Sequence, residues 1–235
     1  MNIALIGYGK MGKAIEKIAL KRGHEIVARV ELGSDSLDEI KEAQVAIEFT
    51  QPESAFNNIK KCIDLGFPVL SGTTGWLDKK EQIEEYCRNR KGTFFYASNY
   101  SIGVNLFFKI NEIVAEIMNN NPQYNSSMEE IHHIHKLDSP SGTAITLAEG
   151  VLKHLKSKSQ WQEGESNNPN VLPIYSKREG EVPGTHSVSY ESEMDNITLT
   201  HTAHTRDSFA LGAVMVAEWL HDKKGVLSMS NYMGL

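Results

Sequence analysis

Between residues 129 and 149 the sequence EEIHHIHKLDSPSGTAITLAE packs His132, His133, His135 and Lys136 into five positions. It then opens a helical pattern through Ser141-Gly142-Thr143. Imidazole and ammonium groups at the end of a strand can deliver protons, and backbone N–H groups at a helix N-terminus can hold a carboxylate or phosphate. Together they describe proton transfer on an anionic substrate. Read as one strand through residue 136, His132, Ile134 and Lys136 share a face, with His133 and His135 on the other. The Cα atoms of His132 and Lys136 would then stand about 13 Å apart, close enough for both side chains to reach one ligand of several carbons. Three other readings stand beside this one. A zinc site needs three or four ligands around one point, which alternate facing splits. The histidines can be satisfied members of a scaffold. A phosphate could sit at Ser141-Gly142-Thr143, although the lysine of a Walker loop is missing.

A second constellation lies at the start of the chain. Residues 2–6 form an apolar β-like run, followed by Gly7-Tyr8-Gly9-Lys10-Met11-Gly12 and a helical pattern at Ala14, Ile15, Ile18 and Ala19. In such a strand-GxGxxG-helix arrangement Gly7 allows the tight turn and Gly9 lets a pyrophosphate reach the backbone. Gly12 lets the helix pack on the sheet, with Lys10 and Met11 in the same loop. Residues 25–30 read as the next strand, and Glu31 falls 19 residues after Gly12, where a carboxylate can bond ribose hydroxyls. Glu31 favours the free 2′-hydroxyl of NAD, whereas Arg29 and Lys10 favour a 2′-phosphate. The expectation is use of both NADH and NADPH, with a lean to NADH.

These groups must be positioned by a wound sheet. Strand patterns at 44–49, 68–70 and 93–96 alternate with helical patterns at 52–65 and from Asp78 to about Asn89, the last started by an Asp78/Glu81 capping box. Strand-helix alternation at this spacing predicts a Rossmann-type parallel sheet with ligand loops at the strand C-termini. Thr50, Gly72-Thr73-Thr74 and Ser98-Asn99-Tyr100 then border the nicotinamide. From Val104 the pattern changes to an amphipathic helix stopped by Asn119-Asn120-Asn121-Pro122. A strand at 127–135, the helix from Ser141 to Leu155, a polar surface loop over 156–176 and strands at 185–192 and 196–204 follow. They predict a second, α+β domain with an open, mixed sheet. The apolar helix at 209–220 suits burial on most sides and return to the first domain. The expected division is a dinucleotide-binding domain of residues 1–102 and 208–235, and a substrate-binding and oligomerisation domain of residues 103–207. His201, His204 and Arg206 are explained equally as anion contacts or as strand-surface polar groups, and His186 reads as structural.

The 235 residues carry a net charge of −6, with 40% hydrophobic and 23% charged residues, an ordinary globular balance that argues against nucleic-acid binding. An anionic substrate must therefore be bound by local charge. The only cysteines, Cys62 and Cys87, lie in helical patterns without CxxC spacing and read as reduced structural thiols. No secretory n-region and no apolar run of about 18 residues occurs, so a cytoplasmic protein with no membrane partner is expected.

GYGKMG, EFT, SGTTG, SNYSIGVN, EEIHHIHKLDSPSGTA, REGEVPGTHSV and HTAHTRDSFALGA occur in this order. Taken together they resemble the 4-hydroxy-tetrahydrodipicolinate (dihydrodipicolinate) reductase family of the diaminopimelate route to lysine. The HHxxKxDxPSGTA element is the specific part. The resemblance implies a hinged two-domain homotetramer in which NAD(P)H gives hydride to ring C4 of a cyclic dicarboxylate. It implies His132 as proton donor, Lys136 as the group that holds or polarises substrate, and Gly142-Thr143 with His133 as the carboxylate site. Ser98 and Ser139 stand where the family commonly has Pro and Ala, and Leu32 stands where some members carry an Arg for NADPH. The stretch between Glu31 and Glu48 is also shorter than in many members. Two alternatives remain: reduction of another imino or keto acid, and a dinucleotide-sensing module without chemistry.

Overall fold

The computed structural model describes residues 1–31, 42–205 and 207–235. Leu32 and Arg206 lie outside them. The chain forms two compact units, Met1–Ile102 with Asp207–Leu235, and Gly103–Arg206.

The first unit is a six-stranded sheet in the order β11-β5-β4-β3-β1-β2, parallel throughout. Its strands are β1 (Asn2–Ile6), β2 (Glu25–Val30), β3 (Val45–Glu48), β4 (Val69–Ser71), β5 (Thr93–Tyr96) and β11 (Gly225–Leu227). Period-2 alternation divides the apolar run of β1 between two cores. Ile3 and Leu5 pack with Ile15 and Ala19 of α1 (Lys10–Lys21) and with Ala213, Val214 and Ala217 of α6 (Asp207–Leu220). Ala4 and Ile6 pack with Ile59 and Cys62 of α2 (Pro52–Asp64) and with Ile83 and Cys87 of α3 (Lys80–Asn89). Both thiols are free and buried. Helix α6 is apolar over most of its surface because Ala210, Gly212, Ala213, Val214, Val216, Ala217 and Leu220 are buried, and a Cβ on Gly212 would fall 1.7 Å from the Tyr100 carbonyl oxygen. The strand order reverses beside β1, with β2 on one side and β3 on the other, so the loops after β1 and β3 open a crevice.

The second unit is a five-stranded mixed sheet, β10-β9-β6-β8-β7. Strands β6 (Asn125–His132), β9 (Thr185–Glu191) and β10 (Asn196–Thr202) pair antiparallel, while β7 (Gln160–Glu163) and β8 (Val171–Arg178) run parallel to β6. Met128, Leu172, Ile174, Val188 and Tyr190 pack with Phe107 and Ala115 of α4 (Ile102–Met118) and with Leu147 and Val151 of α5 (Gly142–His154).

Three expectations need correction. No Asp78/Glu81 box starts α3, which follows a 3-10 turn at Leu77–Lys79 and has Lys79 at its N-cap without a side-chain bond. The polar stretch after α5 is not a surface loop. It supplies β7 and β8, because Val171, Leu172 and Ile174 carry the apolar content of a buried strand. There the buried Lys158 ammonium donates to Asn125 Oδ1 and to the Pro169 and Val171 carbonyls at 2.8, 2.8 and 3.0 Å. Finally, β6 ends at His132, and the chain turns at residues 134–135, where Lys136 N–H donates to the His133 carbonyl at 3.1 Å. His132 and Lys136 therefore do not share a strand face. Strand β11 and helix α7 (Met229–Met233) had no anticipated counterpart.

Candidate active site

In the first unit, Gly7, Gly9, Glu31 and Thr50 line a cleft of about 330 Å³ together with Tyr8, Phe49 and Gln51. Two of the three loop glycines have a steric reason. A Cβ at Gly7 would lie 2.0 Å from the Phe49 carbonyl oxygen, and one at Gly12 would lie 2.3 Å from the Gly7 carbonyl oxygen. Gly9 faces open space and caps α1 with no side-chain bond, and the first turn has no acidic residue. Its amides are thus arranged to meet an anion, as a dinucleotide pyrophosphate requires. Lys10 is exposed in this turn, while Met11 packs partly against the core. Arg29 is held by Glu16, whose carboxylate also accepts from Tyr8, and its guanidinium lies over the Tyr8 ring at 5.8 Å. That ion pair holds the Glu16 carboxyl below its usual pKa.

The residues expected beside the nicotinamide divide. Gly72 must lack a side chain, since a Cβ would fall 2.1 Å from the Phe49 ring. Thr74 and Ser98 are exposed and Asn99 half-buried, its Oδ1 accepting from Ser101 N–H at 2.9 Å. The side chains of Thr73 and Tyr100 are not open to a cofactor, contrary to expectation. Thr73 is buried and donates to Glu48 at 2.8 Å, while Tyr100 is packed between Phe49 and Phe95 and donates to the Ser71 carbonyl at 2.8 Å. Both face the interior because Glu48, a buried carboxylate at the end of β3, and the aromatic core draw them inward.

In the second unit the inward face of β6 reads Ser126, Met128, Glu130, His132, passing from apolar to acidic to imidazole toward the strand's end. Strand pairing sets His186 of β9 and Ser176 of β8 beside Glu130, and Arg178 of β8 beside His132. The His132 and His186 rings stand 5.0 Å apart, edge to face. His132 Nε2 lies under Gly184, where an added Cβ would sit 3.1 Å from it. Burial lowers the His132 pKa, opposed by the Glu130 charge and reinforced by Lys136 and Arg178. Burial takes His186 down to about 4, so its ring is neutral near pH 7. Burial works to raise the Glu130 pKa, but hydrogen bonding from Ser141 and the imidazole charge hold it below the usual value.

Lys136 is tethered by Asp138, at 2.7 and 2.8 Å from its two oxygens. His133 is half-buried, its ring 6.2 Å from His135, and its Nδ1 has no hydrogen-bond partner. Ser141, anticipated as a substrate contact, is turned inward. Its Oγ accepts from Ala144 N–H at 3.2 Å, capping α5, and meets His186 Nε2 at 3.1 Å, while its own N–H donates to Glu130. Gly142 and Thr143 remain at the accessible start of the helix. His201 stacks on Phe107 and His204 is exposed. Sequence reasoning passed over Glu130, Asp138 and Arg178, and set His186 aside as structural. The available signal was the two-residue step from Glu130 to His132.

One ligand atom each of Glu130, His132 and His186 lies within 4.8 Å of the others, a spacing a metal ion could use. Arg178 stands 3.5 Å from Oε1 of the same carboxylate and gives it a counter-charge.

A dinucleotide crevice at the switch point of a parallel sheet, with a second unit carrying a buried His-Glu pair, defines a nicotinamide-dependent oxidoreductase. Residues 1–100 match the family described as dihydrodipicolinate reductase, N-terminus, and residues 103–233 match its C-terminus. The chain belongs to the dihydrodipicolinate reductase family. It is 48% identical over 235 residues to 4-hydroxy-tetrahydrodipicolinate reductase of Christiangramia forsetii, covering 99% of this chain and 98% of that one. The Archaeoglobus fulgidus reductase is 33% identical, covering 99% and 100%. The fold is shared with a dipicolinate-bound dihydrodipicolinate reductase from Paenisporosarcina sp. TG-14, at a TM-score of 0.80, 22% identity and 97% of each chain.

Proposed function

We propose that this protein catalyses the NAD(P)H-dependent reduction of 4-hydroxy-tetrahydrodipicolinate to tetrahydrodipicolinate, in diaminopimelate and lysine biosynthesis. The observation that carries the reading is the His132 imidazole, backed by a buried carboxylate and flanked by Lys136, Arg178 and the start of α5. That set matches a ring dicarboxylate that must take up a proton. Bound reduced nicotinamide supplies hydride to ring C4. Gly7, Gly9, Lys10 and Gly12 would hold its pyrophosphate and Glu31 its ribose, with Thr50, Gly72, Thr74, Ser98 and Asn99, and the backbone of Met11, Thr73 and Tyr100, along the rest. His132 donates the proton, Lys136 pairs with substrate charge, and the amides of Gly142 and Thr143 with His133 receive a carboxylate. The engaged Arg29 and the Glu31 carboxylate support a preference for NADH. The dipicolinate bound by the Paenisporosarcina relative supports a small cyclic dicarboxylate as ligand.

We also infer a homotetramer assembled through the second unit's sheet. Strand β10 is an outer strand exposed along most of its length, with Ile197 uncovered. No described helix is long and apolar enough to cross a membrane, and the two free thiols suit a reducing, cytoplasmic compartment.

The test follows oxidation of NADH and NADPH with the fresh condensation product of pyruvate and aspartate semialdehyde. Turnover that falls ~10²–10⁴-fold in His132→Ala, with the fold intact, supports the reading. Turnover of other imino or keto acids in preference, or full activity of the variant, overturns it.

A further inference from the structure

His132 has a buried carboxylate at its back that the scheme above leaves without a task. Glu130 is fully buried, and its Oε2 lies 3.4 Å from His132 Nδ1 and 3.7 Å from His186 Nε2. Neither Glu130 Oε2 nor His132 Nδ1 has a hydrogen-bond partner. The other oxygen, Oε1, is engaged, accepting from Ser141 N–H at 3.0 Å and facing Arg178 at 3.5 Å. Thus the carboxylate is fixed at one oxygen and open at the one that faces the imidazole. A histidine that donates through Nε2 needs Nδ1 kept as N–H and needs a counter-charge when the ring is cationic.

We propose that Glu130 is the positioning residue of this site, closing on Nδ1–H of His132 when the ring is protonated and so presenting Nε2–H to the substrate. The inference rests on His132 as proton donor. In the transfer the Nε2–H bond breaks as the new bond to hydrogen forms on the substrate, whose added electron pair comes from the nicotinamide hydride. The Nδ1–H bond of His132 stays intact and donates to Glu130 throughout, the ring ends neutral, and water restores the Nε2 proton. The groups facing His132 are Glu130 on its own strand, Arg178 on β8, His186 on β9, and Lys136 and Asp138 on the loop that follows. Arg178 and Lys136 oppose a cationic ring, His186 offers no negative charge, and Asp138 is itself paired with Lys136. Glu130 is therefore the buried anion, among the described residues, that can carry the task.

Glu130→Gln keeps an acceptor for Ser141 N–H and removes the charge. We expect kcat to fall about 10- to 100-fold with KM within about threefold, as for a lost tautomer-fixing partner. His132 in the free protein, followed by imidazole ¹⁵N NMR, should titrate at lower pH than in the native chain. Glu129→Gln, whose carboxylate pairs with exposed Lys177, is the control and should alter neither. Native kcat together with unchanged His132 titration in folded Glu130→Gln overturns the proposal. Should that variant not fold, the native protein decides with pyridine-2,6-dicarboxylate as probe. A strongly downfield Nδ1–H of His132 is expected, and a ring carrying its proton only on Nε2 overturns the proposal. Loss of the reading itself looks different: the native protein is inactive on the dicarboxylate, or His132→Ala is fully active.

Discussion

The Thr73 hydroxyl donates to the Glu48 carboxylate at 2.8 Å, tying the loop after β4 to the last residue of β3. Ser71 Oγ and Thr50 N–H donate to the same group at 2.5 and 3.1 Å. Two of the loops assigned to the nicotinamide are therefore fastened to one buried acid. Burial raises the Glu48 pKa above 4.5, and the hydrogen bonds reverse only part of that. A carboxyl group whose folded pKa exceeds its unfolded value binds more protons when folded. Its contribution is thus fully present below pH 4.5 and is lost as pH rises through the folded pKa. Glu48→Gln lacks this loss, so its melting temperature should gain on the native chain as pH goes from 4 to 7. Thermal melts of both proteins across that range check it; a gap independent of pH refutes the ionisation argument.

Gly212 marks the closest approach of α6 to the rest of its unit. A methyl group there meets the Tyr100 carbonyl oxygen at 1.7 Å, a contact with backbone that no rotamer change relieves. Gly212→Ala should cost at least about 3 kcal/mol, on the order of 6–12 °C in Tm for a chain of this size. Calorimetry on the two proteins measures it. A Tm within 2 °C of native would show that α6 can shift at little cost.

Much of this was legible in the sequence because the signals were local. GxGxxG between Ile6 and Ala14 fixes the first crossover, and the alternation of Ile3 and Leu5 with Ala4 and Ile6 announces a strand covered on both faces. The run from His132 to Lys136 failed as a strand because its composition does not reveal a turn at residues 134–135. The strand β8 was hidden by its polar approach, although Val171-Leu172-Pro173-Ile174 is apolar. Glu130, Arg178 and His186 meet only through pairing of β6 with β8 and β9, a long-range register that single-sequence periodicity does not carry.

The preference for NADH proposed above rests on the restraint of Arg29. Glu16 holds its guanidinium against the Tyr8 ring, so the positive charge nearest Glu31 in sequence is already matched. Glu16→Gln removes the countercharge and frees Arg29 for a 2′-phosphate. The ratio of kcat/KM for NADPH over NADH should rise about three- to tenfold, through KM for NADPH. Steady-state kinetics with both cofactors decides this, and an unchanged ratio would mean that Arg29 does not reach the 2′ position.

The alkaline limb of the pH profile should differ between the free and the loaded protein. In the free chain burial lowers the His132 pKa below 6.5, against the pull of Glu130 and with the push of Lys136 and Arg178. A proton donor must be protonated, so kcat/KM falls as pH rises through that lowered value. On the proposed placement, a bound dicarboxylate brings negative charge beside Lys136 and Arg178 and cancels their push. The imidazolium is then favoured, and the fall in kcat moves to higher pH than the fall in kcat/KM. Profiles of both constants from pH 5 to 9, with saturating cofactor, should show two limbs separated in this order. Coincident limbs would mean that the dianion does not act on His132. The reverse order would place the proton on another group, for which Lys136 is the next to be substituted.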